Sequence, residues 1–209
     1  MPTFMSRLFR PFTTSTRMGL HGDGAAASSS FPEGSQKVTV AAGCFWGVEH
    51  IYRKHFNGKG LLDAKVGYIG GDTKSPSYRS VCSGSTGHAE ALQVIFDPSQ
   101  VSYRQLVEFF YRMHDPTTKN RQGGDTGSQY RSAIFYHDAD QEREAKEITK
   151  QASEQWYKGR VTTEVVHWCE AWLTTNVYAY IAAGEWYDAE TYHQLYLDKN
   201  PGGYECPSQ

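Results

Sequence analysis

Cys44 stands in "KVTVAAGCFWGVEHIYRKH", Lys37 to His55, between an alternating apolar run and a segment with helical spacing. A strand that ends at Gly43 and turns into a helix at Cys44 places the sulfur at the positive end of a helix dipole, where thiolate is favoured over thiol. Phe45 and Trp46 follow directly. Together they suggest a nucleophile in the wall of a small apolar pocket, although periodicity alone favours reading the two aromatics as core packing against a sheet. Two later stretches offer polar groups to such a nucleophile: "SPSYRSVCSGSTGHAEALQVIF", Ser75 to Phe96, and "HDPTTKNRQGGDTGSQYRSAIFY", His114 to Tyr136. Each reads as a loop leading into a strand, the usual location of site residues.

The elements that must position these residues alternate along the chain. Strands are expected at Lys37 to Ala42, Ala64 to Tyr68, Leu92 to Phe96, Arg131 to Tyr136 and Val161 to Val166. Helices are expected from Cys44 to His55, after the capping pair Ser102 and Gln105 as far as Asp115-Pro116, and from Asp138 to Tyr157. The order β-α-β-β-α-β-α-β begins with the split β-α-β arrangement of an α+β, ferredoxin-like plait, extended by a helix, a strand and a long irregular C-terminal tail. In that arrangement the end of the first strand and the two polar loops converge on one edge of the sheet.

Composition narrows the partners. With 209 residues, 21 Lys plus Arg against 23 Asp plus Glu and a net charge of -2, the chain has no broad attraction for nucleic acid or an anionic membrane. A mean hydropathy of -0.61 and the lack of a long apolar run argue against a membrane span. The cysteines Cys44, Cys82, Cys169 and Cys206 form no C-x-x-C pair, which argues against a zinc ribbon and points to a reducing compartment. Residues 1–36 form a separate region: Arg7, Arg10 and Arg17, many hydroxyls and no acid before Asp23 resemble a mitochondrial transit peptide, followed by a linker. The catalytic domain is expected at 37–209, with a mobile tail from about residue 198. Initiation at Met18 would yield a cytoplasmic form of the same domain.

"GCFWGVE", "GHAE", "NRQGGDTGSQYRSAIFY" and "YHQLYLDKNPGGY" follow one another between about Lys37 and Tyr204. In this order they resemble the peptide methionine-S-sulfoxide reductase family, A type. The resemblance implies reduction of methionine sulfoxide, in proteins and free, by attack of the Cys44 thiolate on sulfur. Sulfoxide oxygen leaves poorly unless protonated, and Glu90 matches the family's acid. Tyr78 and Tyr130 match the tyrosines that hold the oxygen, Asp125 a polar residue of the same site, and Phe45 and Trp46 the aromatics that receive the S-methyl group. Cys206, in "NPGGYECPSQ", matches a tail cysteine that resolves the resulting sulfenic acid to a disulfide, which thioredoxin reopens. The resemblance implies no metal or other cofactor, and the chain is expected to act as a monomer. Glu49 and His50 read as helix surface, and Cys82 as a small buried residue.

The segment between Glu164 and Trp186 is longer than the family's usual link and contains Cys169, to which no redox role is assigned. It reads as an added hairpin or a disturbance of the path to the tail, and translated intron sequence would account for it. Two other functions fit parts of the pattern. A cysteine hydrolase would pair Cys44 with His88 or His193, and a methionine-binding module would use Phe45 and Trp46 without catalysis.

Overall fold

The structure is a computed structural model in which residues 31–168 and 184–204 are described. Most of the transit-like region, Cys169 and Cys206 lie outside them. The elements run β1 (Gln36–Ala42), α1 (Phe45–Phe56), β2 (Leu61–Ile69), α2 (Tyr78–Cys82), β3 (Ala89–Phe96), α3 (Tyr103–Met113), β4 (Arg121–Gln122), β5 (Asp125–Thr126), a 3-10 turn (Ser128–Tyr130), β6 (Ser132–Tyr136), α4 (Ala139–Gln155), β7 (Glu164–His167), β8 (Tyr187–Asp188) and α5 (Tyr196–Lys199).

Among the described residues the main sheet has six strands in the order β7-β6-β1-β3-β2-β8. Its centre, β6-β1-β3-β2, is the split β-α-β plait, with β1 antiparallel to both β3 and β6 and β3 antiparallel to β2. Side chains alternate across the sheet because successive residues of a strand point to opposite faces. Val38, Val40, Val66, Tyr68, Leu92, Val94 and Ile134 share one core with Phe45, Val48 and Tyr52 of α1, Leu106 and Phe110 of α3 and Ile148 of α4. The opposite face is built of smaller side chains, Ala41, Ala89, Ala91 and Ala133 with Ile69 and Phe135, and Trp168 and Trp186 pack against it.

Local chemistry sets the helix ends. Ser102 and Gln105 form a reciprocal capping box at α3, and the Asp138 side chain caps α4 by accepting from the Gln141 amide at 2.8 Å. At the far end of α3, His114 Nδ1 donates to the Phe110 carbonyl at 2.6 Å, satisfying one of the helix's unpaired acceptors.

Several elements differ from the expected ones, and β2 is longer, at Leu61–Ile69. β3 starts at Ala89, so Glu90 lies within a strand; pairing with Ile69 and Tyr68 extends the ladder past the polar run. β7 begins at Glu164, where pairing with Ala133 begins. The loop after β2 contains α2, opened by a Ser77–Ser80 capping box that no apolar period advertises.

Candidate active site

β1 and β2 end, and β3 and β6 begin, at the same edge of the sheet, since Ala42 pairs with Ser132 and Ile69 with Ala89. The connections from Gly43, Gly70 to His88 and His114 to Arg131 therefore converge there. Gly43 has φ of 93°, a left-handed corner that favours glycine. Cys44 follows as the N-cap of α1, at 8% exposure.

Glu90 projects from β3 onto the helix-bearing face, and its Oε2 accepts the backbone N–H of Phe45 at 3.1 Å. That N–H is one of the donors a helix start leaves without an internal partner. Burial pushes the Glu90 carboxyl up to about 8; the Phe45 N–H opposes the rise and the charge of Asp125 adds to it. A protonated carboxyl is thus held beside the residue that follows Cys44.

Phenols surround this pair. Burial raises Tyr130, whose hydroxyl also senses Glu90, Cys82, Asp125 and Cys44. Burial likewise raises Tyr78, which shares a hydrogen bond with Cys82. Both phenols remain proton donors through neutral pH. Asp125, at the start of β5, accepts from the Tyr204 hydroxyl at 3.2 Å, so the tail returns to the rim of the site two residues before Cys206.

The Phe45 ring lies 5.8 Å from Tyr68 and 5.2 Å from His193, while Trp46 stacks on Tyr196 at 3.7 Å. His193 and Tyr196 belong to "YHQLY", a motif to which sequence reasoning assigned no pocket role. Glu190, just upstream, was missed as well: it accepts from the Tyr68 hydroxyl at 2.8 Å and from the Tyr78 amide at 2.9 Å, joining β2 to α2. This C-terminal segment is strapped along β2 and α1. The Gln194 amide exchanges hydrogen bonds with both backbone groups of Val66, at 3.0 and 2.8 Å.

Two residues depart from their expected settings. Glu49 is 1% exposed and belongs to the interior: its carboxylate accepts from Arg53 at 3.0 Å and from the Leu195 amide at 2.8 Å, because the strap covers that side of α1. Cys82 is exposed, since α2 is a short surface helix whose buried residue is Val81.

The two histidines considered as hydrolase bases are both engaged. His88 Nδ1 accepts from the Gly71 amide at 3.2 Å while Nε2 meets the Thr73 carbonyl at 2.8 Å. His193 Nδ1 accepts the Trp46 indole proton at 2.9 Å. Neither ring has an open basic nitrogen with which to activate a thiol. Among the described residues no group of three or more His, Cys, Asp or Glu side chains is arranged to hold a metal ion.

Residues 36–209 match the family model described as "Peptide methionine sulfoxide reductase". A "Probable peptide methionine sulfoxide reductase" of Schizosaccharomyces pombe is 45% identical over 175 residues, 83% of this chain and 94% of that protein. The structure is similar to that of reduced Mxr1 from Saccharomyces cerevisiae, with a TM-score of 0.73 and 43% identity over 85% of this chain and 92% of that one. Mxr1 in complex with Trx2 gives a TM-score of 0.53 and 26% identity over 87% and 94%. A cysteine at a helix start, a protonated carboxyl beside it and extended similarity agree: the chain belongs to the peptide methionine sulfoxide reductase family, is of the A type, and reduces methionine sulfoxide by thiol chemistry.

Proposed function

We propose that Cys44 is the nucleophile and Glu90 the proton donor of this reduction. The observation that carries the assignment is the buried Glu90 carboxyl, raised to about 8 and bonded to the amide next to Cys44. The Cys44 thiolate attacks the sulfoxide sulfur while Glu90 delivers a proton to the oxygen, with Tyr78 and Tyr130 as hydrogen-bond donors to it and Asp125 tuning the acid. The protonated oxygen passes from the substrate sulfur to the Cys44 sulfur as the transient sulfur–sulfur bond opens; methionine leaves with that bond's electron pair, and Cys44 is left as a sulfenic acid. Phe45 and Trp46 take the S-methyl group, where sulfur–aromatic contact contributes about 0.3–1.5 kcal/mol.

Cys206 resolves the sulfenic acid: its sulfur displaces the hydroxyl as water and forms a Cys44–Cys206 disulfide. The Tyr204–Asp125 bond supports this reading, because two residues of chain span at most about 7 Å. A thioredoxin dithiol then exchanges with the disulfide and restores both thiols; the complex of Mxr1 with Trx2 supports that partner. Oxidised proteins and free methionine sulfoxide are the substrates. The test is a single turnover without reductant. Wild type should yield one methionine per chain and a Cys44–Cys206 linked peptide by mass spectrometry, and Cys206→Ser one methionine with Cys44 oxidised but unlinked. Linkage of Cys44 to Cys82 or Cys169 would overturn the assignment.

The basic composition of the first 22 residues supports mitochondrial delivery of the full chain. A tagged full-length protein should lose its mitochondrial signal when Arg7 and Arg10 become Glu.

A further inference from the structure

We propose that His193 is a positioning and specificity-determining residue: its Nδ1 holds the Trp46 indole in one in-plane orientation and so fixes the width of the pocket that receives the substrate's S-alkyl group. The inference rests on the reading of Phe45 and Trp46 as the methyl pocket.

Two of the contacts on the indole restrain different motions. Stacking on Tyr196, at 3.7 Å and 12°, keeps the ring in its plane. A stack is nearly indifferent to sliding or turning within that plane. The hydrogen bond from Trp46 Nε1 to His193 Nδ1, 2.9 Å long, acts at a single edge atom and selects one direction.

The acceptor is itself immobilised. His193 is 1% exposed, with the rings of Phe45 at 5.2 Å, Tyr78 at 4.4 Å and Tyr192 at 4.2 Å around it. Because Nδ1 accepts, the ring proton sits on Nε2. That buried nitrogen has no hydrogen-bond partner among the described residues. The Glu190 carboxylate faces it at 3.9 Å, beyond hydrogen-bonding distance. An unpaired buried donor is a net cost, and a leucine or phenylalanine would fill the same space without it. What the imidazole supplies in return is Nδ1. Acceptance requires the neutral ring, and burial lowers the His193 pKa from its ordinary value, against the opposing charge of Glu190.

The experiment compares kcat/KM for methionine sulfoxide and ethionine sulfoxide, which differ by one methylene at the group facing the indole. A fitted apolar pocket distinguishes one methylene by about tenfold or more, and wild type should do so in favour of methyl. In His193→Leu, which keeps the volume but not the acceptor, the ratio should fall toward one, with KM for methionine sulfoxide raised about tenfold and kcat within about threefold of wild type. His193→Asn places an amide oxygen close to the Nδ1 position and should restore the ratio. In parallel, the Trp46 indole N–H resonance, assigned by its loss in Trp46→Phe, should move upfield in His193→Leu and remain near its wild-type position in His193→Asn. A wild type without methyl preference would overturn the pocket reading and this inference together. A discriminating wild type matched by His193→Leu would overturn the role of His193 alone, and so would loss of the ratio in His193→Asn.

Discussion

Glu90 shows how one side chain is tuned by its position. A carboxyl inside a strand, on the face covered by α1, cannot ionise at its ordinary pH because the sheet and helix exclude water from it, and the Phe45 amide offsets that penalty in part. With Glu90 as the proposed donor, wild-type kcat should be high at neutral pH and fall as pH rises through about 8, where the carboxyl loses its proton. Glu90→Gln should be slower by about 100-fold or more and lack that descending limb; a limb that persists in the variant would assign the proton to another group. Cys44→Ser should have no measurable turnover, because a serine hydroxyl supplies no thiolate. Cys44, Glu90, Asp125 and Tyr130 could be nominated from the sequence because each sits inside a recognisable motif, and Tyr78 from the polar stretch that precedes "GHAE". Glu49, Glu190 and His193 were not, since their roles arise from pairing across 112 to 147 positions and no local pattern records such a partner.

At the scale of elements, the site depends on a strap that is hardly a regular structure. β8 is two residues and α5 four, so most of the 186–199 segment is held by side chains: Gln194 to Val66, Glu190 to Tyr68 and Tyr78, and Glu49 to Leu195. Leu195 adopts φ of 56°, a left-handed conformation that costs a non-glycine residue about 1 kcal/mol or more. The Glu49 carboxylate secures it there. Replacing Glu49 with Leu leaves the Leu195 amide and the Arg53 guanidinium short of an acceptor inside the protein, and urea unfolding should show a loss of about 1–3 kcal/mol. KM should rise with it as Tyr196 and His193 loosen from Trp46. The helices and central strands were readable from capping residues and apolar period, but α2 and the strap were not, because short elements fixed by polar contacts carry neither signal.

Across the whole molecule, buried histidines set the acid limit. His114 donates to Phe110 and meets Ser132 Oγ at 2.8 Å, His137 meets Thr39 Oγ1 at 3.0 Å, and burial lowers both rings from 6.5 to about 4. The unfolded chain takes up these protons first, so the stability both rings contribute is complete above pH 6.5 and lost as pH falls toward 4. Glu90 acts oppositely: its raised pKa means that its contribution is greatest below 4.5 and is lost as pH rises through about 8. Urea midpoints measured from pH 7 to 4 should fall, and His137→Phe should flatten the decline by about one proton. The plait itself was legible because its strand order follows from alternating elements and a split β-α-β connection; which face would remain thinly covered was not, since the alanine-rich face looks unremarkable until Trp168 and Trp186 are seen against it.

The polar contacts along β2 also occupy backbone groups at the edge of the sheet. An open strand edge invites another chain to add to the sheet. Here Ala64 gives its amide to Asp63 at 2.8 Å and its carbonyl to Arg53, Val66 gives both groups to Gln194, and β8 pairs with the next two residues. Side chains thus close a boundary that β8 is too short to cover, and they do so without lengthening the ladder. Gln194→Ala would free the Val66 amide at this edge, while the Ala189 amide keeps the Val66 carbonyl engaged at 3.0 Å. Light scattering should detect concentration-dependent assembly in that variant and none in wild type.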